Sequence, residues 1–172
     1  MFTNIETDRL LLRNIDHTDR DFILEEFQND FINRYLYDAE PMTDISQADE
    51  LIDFYTMPEP RKQHRWVLMD KATNIRLGTC GYHVWNPDKQ EVEIGFELLQ
   101  PYNGKGYMLE ATKAIIEFAR REMQVQTINA IVSIQNGSCI KLLERLGFTR
   151  VGEQATEFRG QTYLHHVYAL NL

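Results

Sequence analysis

The sequence is poor in cysteine and has no long apolar run, and each shortage excludes a class of protein. Its 172 residues include two cysteines, Cys80 and Cys139, which lack the paired spacing of a zinc site and the density of a disulfide scaffold. Apolar runs end after four or five residues, so we expect no membrane-spanning segment. Residues 1–13 contain acidic side chains and no apolar stretch typical of a signal peptide. We therefore expect a cytoplasmic protein.

Positive charge is also in short supply. Lysine and arginine total 18 against 26 acidic residues, which gives a formal net charge of −8. This balance argues against binding to nucleic-acid phosphates, which requires a basic face, and it is compatible with a cationic substrate. The five histidines do not have the spacing of metal ligands, so we expect no metal site.

The order of apolar patterns predicts a mixed α/β, or α+β, fold in one domain that spans the whole chain. Strand-like and helix-like segments follow one another in the order β-α-α-β-β-β-α-β-α-β-β. Thr18 and Asp21 are predicted to open the first helix, and Asp44 with Gln47 forms a capping box for the second. The segment Met57-Pro58-Glu59-Pro60 ends that second helix, because proline cannot donate the helical hydrogen bond.

One predicted strand, from Glu91 to Leu98, alternates strictly between two kinds of side chain. Its apolar residues face one side, and Glu91, Glu93, Gly95 and Glu97 face the other. The three glutamates are either a solvated face balanced by basic side chains or carboxylates that belong to a site. If they lie close together, their like charges raise the pKa of Glu93.

A glycine loop, Asn103-Gly104-Lys105-Gly106, follows this strand, and a helical pattern begins directly after it. The first turn of a helix has unpaired N–H groups and the positive end of the helix dipole, and glycine lets a phosphate approach the backbone. A P-loop needs Lys-Ser/Thr where Tyr107 stands, and a dinucleotide fingerprint needs glycine where Leu109 stands. Taken alone, the loop is another kind of phosphate site or a plain glycine-rich turn.

Four motifs occur along the chain in the order found in one known family. They are Thr7-Asp8-Arg9-Leu10-Leu11-Leu12-Arg13, Glu93-Ile94-Gly95-Phe96, Gly104-Lys105-Gly106-Tyr107 with Glu110-Ala111, and Asn136 through Gly147-Phe148. Together they resemble the GNAT superfamily of acyl-CoA-dependent N-acetyltransferases, and within it the ribosomal-protein-alanine N-acetyltransferase branch. The resemblance implies a central, largely antiparallel sheet of six or seven strands, flanked by about four helices.

The resemblance implies acetyl-CoA as co-substrate and no metal. It implies that backbone amides of residues 104–108 bind the pyrophosphate, and that the pantetheine arm pairs with a splayed edge of the preceding strand. Three residues depart from the family pattern: Asn103 replaces a longer Gln or Arg, Met108 replaces Gly or Ala, and Cys139 replaces Ser. The resemblance predicts the following cofactor-binding residues: Leu98, Asn103, Gly104, Lys105, Gly106, Tyr107, Met108 and Asn136.

In this family a neutral amine attacks the thioester directly in a ternary complex, so the reaction needs a base, an oxyanion donor and a proton donor. Glu93 is the predicted base, directly or through a water. Cys139 is the predicted acid toward the departing sulfur, with a pKa lowered by the helix N-terminus, or else it is a small buried hydrophobe. Asn136 either contacts pantetheine or caps its helix, and His83 either lines the acceptor cleft or packs in the core.

These features predict an enzyme that moves an acetyl group from acetyl-CoA to a primary amine. A protein N-terminal amine of the ribosomal-protein-alanine type is the first expectation, and a small amine (polyamine, amino acid or aminoglycoside) is the alternative acceptor. A non-catalytic acyl-CoA-binding module is the alternative from a different class. We expect no nucleic-acid or membrane partner, and a monomer or a homodimer.

Overall fold

The fold is built on one central sheet. The computed structural model describes residues 2–172, and in that range eight strands and five α-helices are present. The strands are β1 (Ile5–Glu6), β2 (Leu10–Asn14), β3 (His64–Asp70), β4 (Arg76–Asn86), β5 (Glu91–Leu98), β6 (Thr127–Ser133), β7 (Thr149–Phe158) and β8 (Gln161–Asn171). The helices are α1 (Arg20–Gln28), α2 (Asp30–Asn33), α3 (Ile45–Thr56), α4 (Tyr107–Glu122) and α5 (Gly137–Arg145), with 3₁₀ turns at His17–Asp19 and Gln100–Tyr102.

The predicted mixed α/β class is confirmed, and the predicted element counts are each slightly low. The additional strand and helix are short. β1 has two residues and α2 has four, so neither is long enough to show a hydrophobic period.

The strands lie in the order β1-β2-β3-β4-β5-β6-β8-β7. All neighbours pair antiparallel except β5 and β6, which α4 connects as a parallel crossover. After the C-terminal end of β5, the chain passes through the glycine loop into α4. It returns as β6, which pairs with β5 on the side opposite β4.

Apolar side chains cover both faces of the sheet. One core holds residues from the sheet and α4, with Trp66, Tyr82 and Ile115 fully buried. The other core lies under α1 and α3, where Ile23 and Ile52 are fully buried. The face of β5 that carries the glutamates is on this second side. The helical layer therefore covers part of it, and it is not the fully solvated face that the sequence left possible.

Local capping chemistry sets several of the helix ends. The predicted Asp44–Gln47 capping box is confirmed at the start of α3, which ends at Thr56 before the prolines. The predicted Thr18–Asp21 start is wrong: the capping box is formed by Asp16 and Asp19 around the 3₁₀ turn that precedes α1. Among residues 2–172, no helix is long and apolar enough to cross a membrane.

Candidate active site

The sheet splits between β5 and β6. The two strands pair in parallel only where Glu91–Glu93 lies opposite Thr127–Asn129. Beyond Glu93, the edge of β5 that faces β6 has no strand partner within the described range, and a cavity of about 520 Å³ occupies the opening. Peptide groups along such an edge are free to hydrogen-bond a ligand.

Several parts of the chain line this cavity. β5 contributes residues 93–98, β6 contributes residues 130–133, and the start of α5 contributes residues 136–139. Another wall is the segment from α2 towards α3, whose lining residues include Tyr35, Tyr37 and Asp38. His83 of β4 and side chains of the β7–β8 hairpin also line it. The cavity therefore joins the C-terminal ends of two parallel strands to the N-terminus of a helix, a common place for a ligand in α/β folds.

The glycine loop presents a row of free backbone donors at the start of α4. Gly104 has φ +74° and Gly106 has φ +80°, a left-handed conformation that favours glycine. Gly106 is the N-cap of α4, and no side chain caps the helix. The N–H groups of residues 104–109 make no hydrogen bond to any described residue. These free donors, with the positive end of the helix dipole, fit a pyrophosphate.

A carboxylate in the first turn of α4 is bound by residues of the first sequence motif. Glu110 accepts hydrogen bonds from the Thr7 hydroxyl (2.6 Å), the Arg9 backbone N–H (2.8 Å) and Arg9 Nε (2.6 Å). Arg9 Nη1 also donates to the carbonyl oxygen of Lys105 at 2.9 Å. Burial alone would raise the pKa of Glu110, but the bonds from Thr7 and Arg9 outweigh it and lower that pKa. Two of the four sequence motifs thus meet in space and support the loop.

The side chains of the loop are mostly used within the protein. Asn103 Nδ2 donates to carbonyl oxygens of the preceding turn, including Leu99 O at 3.2 Å. The Tyr107 hydroxyl donates to Asp70 Oδ2 at 3.0 Å, and the Met108 side chain is buried in the core. Of the residues predicted to bind cofactor, Leu98, Asn103, Met108 and Asn136 line the cavity, whereas Gly104, Lys105, Gly106 and Tyr107 do not.

Glu93 lies in the cavity wall and is half-buried. No described residue donates a hydrogen bond to its carboxylate. Burial raises the pKa of Glu93, and the negative charge of Asp38 raises it further. The predicted upward shift is therefore present, but its like-charge partner is Asp38 and not the glutamates of its own strand.

The other two glutamates of β5 have different surroundings. Glu91 does not line the cavity. Glu97 does, but its carboxylate is bound to the buried Arg65 (Nη1–Oε2, 2.5 Å) and to the Thr79 hydroxyl (3.1 Å). The same hydroxyl oxygen lies 3.0 Å from Oε2 of Glu26, a fully buried carboxyl group on α1. Burial raises the pKa of Glu26 well above its usual value, with Glu97 as the second cause.

The start of α5 presents Asn136 and Cys139 to the cavity. Asn136 is the N-cap: its Oδ1 accepts from the Cys139 backbone N–H at 3.2 Å, while no described residue bonds its Nδ2. Burial, followed by the charge of Glu97, raises the pKa of the Cys139 thiol to about 12. The expectation of a lowered pKa is wrong because desolvation outweighs the helix dipole. The thiol stays protonated at neutral pH, which disfavours nucleophilic attack and leaves it able to donate a hydrogen bond.

Asp38 and a buried polar chain behind His83 were not found from the sequence. The Tyr55 hydroxyl lies 3.1 Å from His83 Nδ1, and Arg65 Nη2 donates to the same hydroxyl at 3.2 Å. The Asn86–Asp88 turn predicts the β4–β5 hairpin, but a register shift between His83 and Asn86 is what places His83 opposite Glu93. Asp38 lies in an irregular segment with no such pattern. No group of three or more metal-ligating side chains is present in residues 2–172.

Comparisons with known proteins agree with this geometry. The family model described as "Acetyltransferase (GNAT) domain" matches residues 9–149. The uncharacterized N-acetyltransferase YoaA of Bacillus subtilis is 30% identical, over 99% of this chain and 97% of its own.

Solved structures show the same fold. RimL, a ribosomal L7/L12 alpha-N-protein acetyltransferase in complex with coenzyme A, superposes with a TM-score of 0.89 at 16% identity, over 98% of each chain. Spermidine N-acetyltransferase from Vibrio cholerae, in complex with CoA and spermine, gives 0.85 at 20% identity, over 96% of each chain.

Proposed function

Since this chain belongs to the GNAT family of acyl-CoA-dependent N-acetyltransferases, we propose that it acetylates the α-amine of a protein or peptide N-terminus, with acetyl-CoA as the donor. The observation that carries the proposal is the opening between β5 and β6, which extends from Asn103 and Met108, on either side of the glycine loop, to the Glu93 carboxylate. Donor and acceptor would meet in that opening without a covalent enzyme intermediate.

The residues before and inside the first turn of α4 would hold the donor. The free N–H groups of residues 104–109 suit the pyrophosphate, and the unpaired edge of β5 suits the amide groups of the pantetheine arm. The RimL and spermidine acetyltransferase structures contain coenzyme A, which supports acetyl-CoA as the acetyl donor here. Asn136 Nδ2, which is free of protein partners in the described range, offers one more donor to the same arm.

Glu93 would accept the proton of the attacking amine, directly or through a water. A base is most effective when its pKa is close to the working pH, and burial together with Asp38 shifts the pKa of Glu93 in that direction. An α-amine has a pKa of about 7.7–8.0, against about 10.4 for a lysine-type amine. A carboxylate base is therefore better matched to an α-amine, which favours an N-terminus as the acceptor.

The remaining steps use donors on β5 and α5. N–H groups on the free edge of β5 between Gly95 and Leu98 would stabilise the developing oxyanion, because they are fixed before the reaction begins. The Cys139 thiol lines the same cavity and remains protonated, so it would donate a hydrogen bond to the departing sulfur.

A steady-state assay with an acceptor panel tests the proposal. The panel holds peptides with a free N-terminal alanine or serine and no lysine, the same peptides with a blocked N-terminus, and spermidine. Release of free CoA and mass spectrometry of the acceptor are followed together. We expect acetylation of the free peptides and none of the blocked ones. Preferential acetylation of spermidine would overturn the N-terminal acceptor, and binding of acetyl-CoA without transfer to any amine would indicate a non-catalytic binding module.

A further inference from the structure

His83 and Glu93 form a cross-strand pair at the wall of the cavity. They are directly opposite one another in the antiparallel β4–β5 ladder, and both line the cavity. Directly opposite residues of this kind have Cβ atoms about 4.5–5.5 Å apart and point to the same face. A ligand group held by Glu93 is therefore within reach of a second ligand group held by His83.

The imidazole of His83 lies over Gly95, the next residue of β5 on the same face. A Cβ atom added at Gly95 would be 2.7 Å from His83 Nε2 and 3.2 Å from its Cδ2. Any side chain at this position would therefore displace the ring. The absence of a side chain at Gly95 lets the Nε2 edge of His83 lie against the wall of the cavity.

The direction of the hydrogen bonds behind His83 fixes its tautomer. Arg65 is fully ionised and can only donate, so the Tyr55 oxygen accepts from Arg65 Nη2. The Tyr55 hydroxyl hydrogen is then free for His83 Nδ1, its other partner at 3.1 Å. If Nδ1–H donated to Tyr55 instead, the hydroxyl hydrogen would have no acceptor among the described residues. The arrangement that satisfies all three groups therefore has Nδ1 as the acceptor and the ring hydrogen on Nε2.

Two further observations agree with a neutral donor. Burial, with the charge of Arg65 as the second cause, lowers the pKa of His83 to about 3, so the ring is uncharged at neutral pH. His83 Nε2 makes no hydrogen bond to any residue in the part of the chain that the structure describes. A fixed N–H donor without a protein partner thus stands at the wall of the cavity.

We propose that His83 is a specificity-determining residue, held by Tyr55 and Arg65 as an Nε2–H donor for the carbonyl oxygen next to the reacting amine. This inference rests on the proposed function, because it needs an acceptor whose amine and neighbouring carbonyl group bind Glu93 and His83 at the same time. The amine of an N-terminal residue goes to Glu93, and its carbonyl oxygen, on the second carbon from the nitrogen, goes to His83. A polyamine has no such oxygen and gains nothing from the donor.

The tautomer is tested first, by ¹⁵N NMR of the histidine rings at neutral pH. The His83 signals are assigned from their absence in His83→Gln. We expect a protonated Nε2 and an unprotonated, hydrogen-bonded Nδ1 in the wild type, and mixed tautomers in Tyr55→Phe. Tyr168→Phe is the matched control, because that hydroxyl bonds Glu144 and Tyr168 does not line the cavity. A wild-type His83 that carries its hydrogen on Nδ1 would overturn the inference.

The role in specificity is tested with two acceptors, L-alanine amide and 2-aminopropane, which differ by the carboxamide. In His83→Phe we expect kcat/KM for alanine amide to fall about tenfold relative to wild type, the size of one lost neutral hydrogen bond, with the loss mainly in KM. For 2-aminopropane the ratio of variant to wild type stays near one. In His83→Gln the amide nitrogen replaces Nε2, and we expect recovery of most of the loss.

Equal losses for both acceptors in His83→Phe would overturn the specificity role and indicate a purely structural histidine. A wild-type enzyme that acetylates 2-aminopropane but not alanine amide would instead contradict the proposed function, and the carbonyl contact with it. The NMR result separates these cases, because it reports on the ring whether or not any acceptor reacts.

Discussion

At the scale of single residues, Glu93 is the group whose surroundings differ most from those of its own strand neighbours. It is half-buried in the cavity, has a raised pKa and accepts no hydrogen bond from residues 2–172. Glu97, two residues further on, is bound to Arg65, and Glu91 lies outside the cavity. Three glutamates that alternate identically in the sequence are therefore different in chemistry.

Replacing Glu93 with Gln should lower kcat by about 10²–10³-fold, the usual contribution of a general base. The dissociation constant for acetyl-CoA should change little, because the proposed contacts to acetyl-CoA (the amides before α4, the backbone edge of β5 and Asn136 Nδ2) do not include the Glu93 carboxylate. Glu91→Gln is the matched control and should keep wild-type activity. Stopped-flow or steady-state kinetics give kcat, and calorimetry gives the affinity. A Glu93→Gln variant with full turnover would assign the base to another group.

Glu26 should make the stability of this protein depend on pH. Its pKa is raised from 4.5 by burial and by Glu97, so the folded chain keeps a proton that the unfolded chain releases above about pH 4.5. The free energy of unfolding should therefore fall as pH rises above that value, by up to about 1.4 kcal/mol per pH unit, until the folded carboxyl also ionises.

Urea unfolding at several pH values measures this effect in the wild type and in Glu26→Gln. The glutamine keeps an oxygen that accepts from Thr79, but it cannot ionise, so its stability relative to wild type should increase with pH. Glu25→Gln, at an exposed neighbouring position on α1, should leave the pH dependence of the wild type unchanged. Parallel curves for the wild type and Glu26→Gln would show that folding does not raise the pKa of Glu26.

At the scale of elements, the entry into α4 depends on a residue with positive φ. In Gly106→Val the branched side chain would strain a backbone at φ +80°, with its Cβ 3.4 Å from Arg9 Nη2. The row of amides before α4 should be displaced, and we expect the affinity for acetyl-CoA to fall at least tenfold. Calorimetric titration measures it.

Gly160→Val serves as the matched control for that change. Gly160 has a similar conformation, φ +72°, in the two-residue turn between β7 and β8, and it does not line the cavity. Gly160→Val should lower the free energy of unfolding without changing the affinity for acetyl-CoA. If both variants bind acetyl-CoA as the wild type does, the loop does not hold the donor.

Elements with local signals were predictable, and those that depend on distant contacts were not. The capping box of α3 and the left-handed Gly147 after α5 each lie within a few residues of the end they define. The parting of β5 from β6 has no local signal, because it depends on the pairing of two strands that α4 separates in the sequence. The same holds for the covered glutamate face of β5, which becomes buried only when α1 and α3 pack on the sheet.

At the scale of the whole molecule, two distant parts of the chain meet beside the cavity. The Tyr37 ring, after α2, stacks on the Tyr163 ring of β8 with centroids 3.8 Å apart. Nearby, Arg159 Nε donates to Glu40 Oε1 at 2.8 Å. Tyr37 also lines the cavity together with Asp38. The β7–β8 hairpin thus supports the wall that carries the like charge beside Glu93.

Loss of the contact between Tyr37 and Tyr163 should change the KM of the amine acceptor more than the affinity for acetyl-CoA. In Tyr163→Ala we expect the acceptor KM to rise several-fold, because the stacked partner of Tyr37 is lost and the wall is no longer fixed. The affinity for acetyl-CoA should be unchanged, since the amides before α4 are on another side of the cavity. Tyr163→Phe keeps the stacked ring and should behave as the wild type. A rise in acceptor KM for both variants would assign the effect to the hydroxyl group.

The parts of the candidate site that share one stretch of sequence can be predicted from that stretch alone. The glycine loop and Glu93 have recognisable patterns of their own. The roles of Arg65 and Tyr55 could not be predicted, because an arginine in an apolar strand and a tyrosine in a helix do not indicate any particular partner. Only the packing of α3 on β3 and β4 joins them to His83.

The contact between Gly95 and the ring of His83 has a consequence for how related sequences diverge. A side chain at position 95 would occupy space that the imidazole now fills, so the ring would have to move or be replaced by a smaller side chain. The two positions lie 12 residues apart in the sequence. In related chains we therefore expect a larger residue at position 95 to occur together with a residue smaller than histidine at position 83.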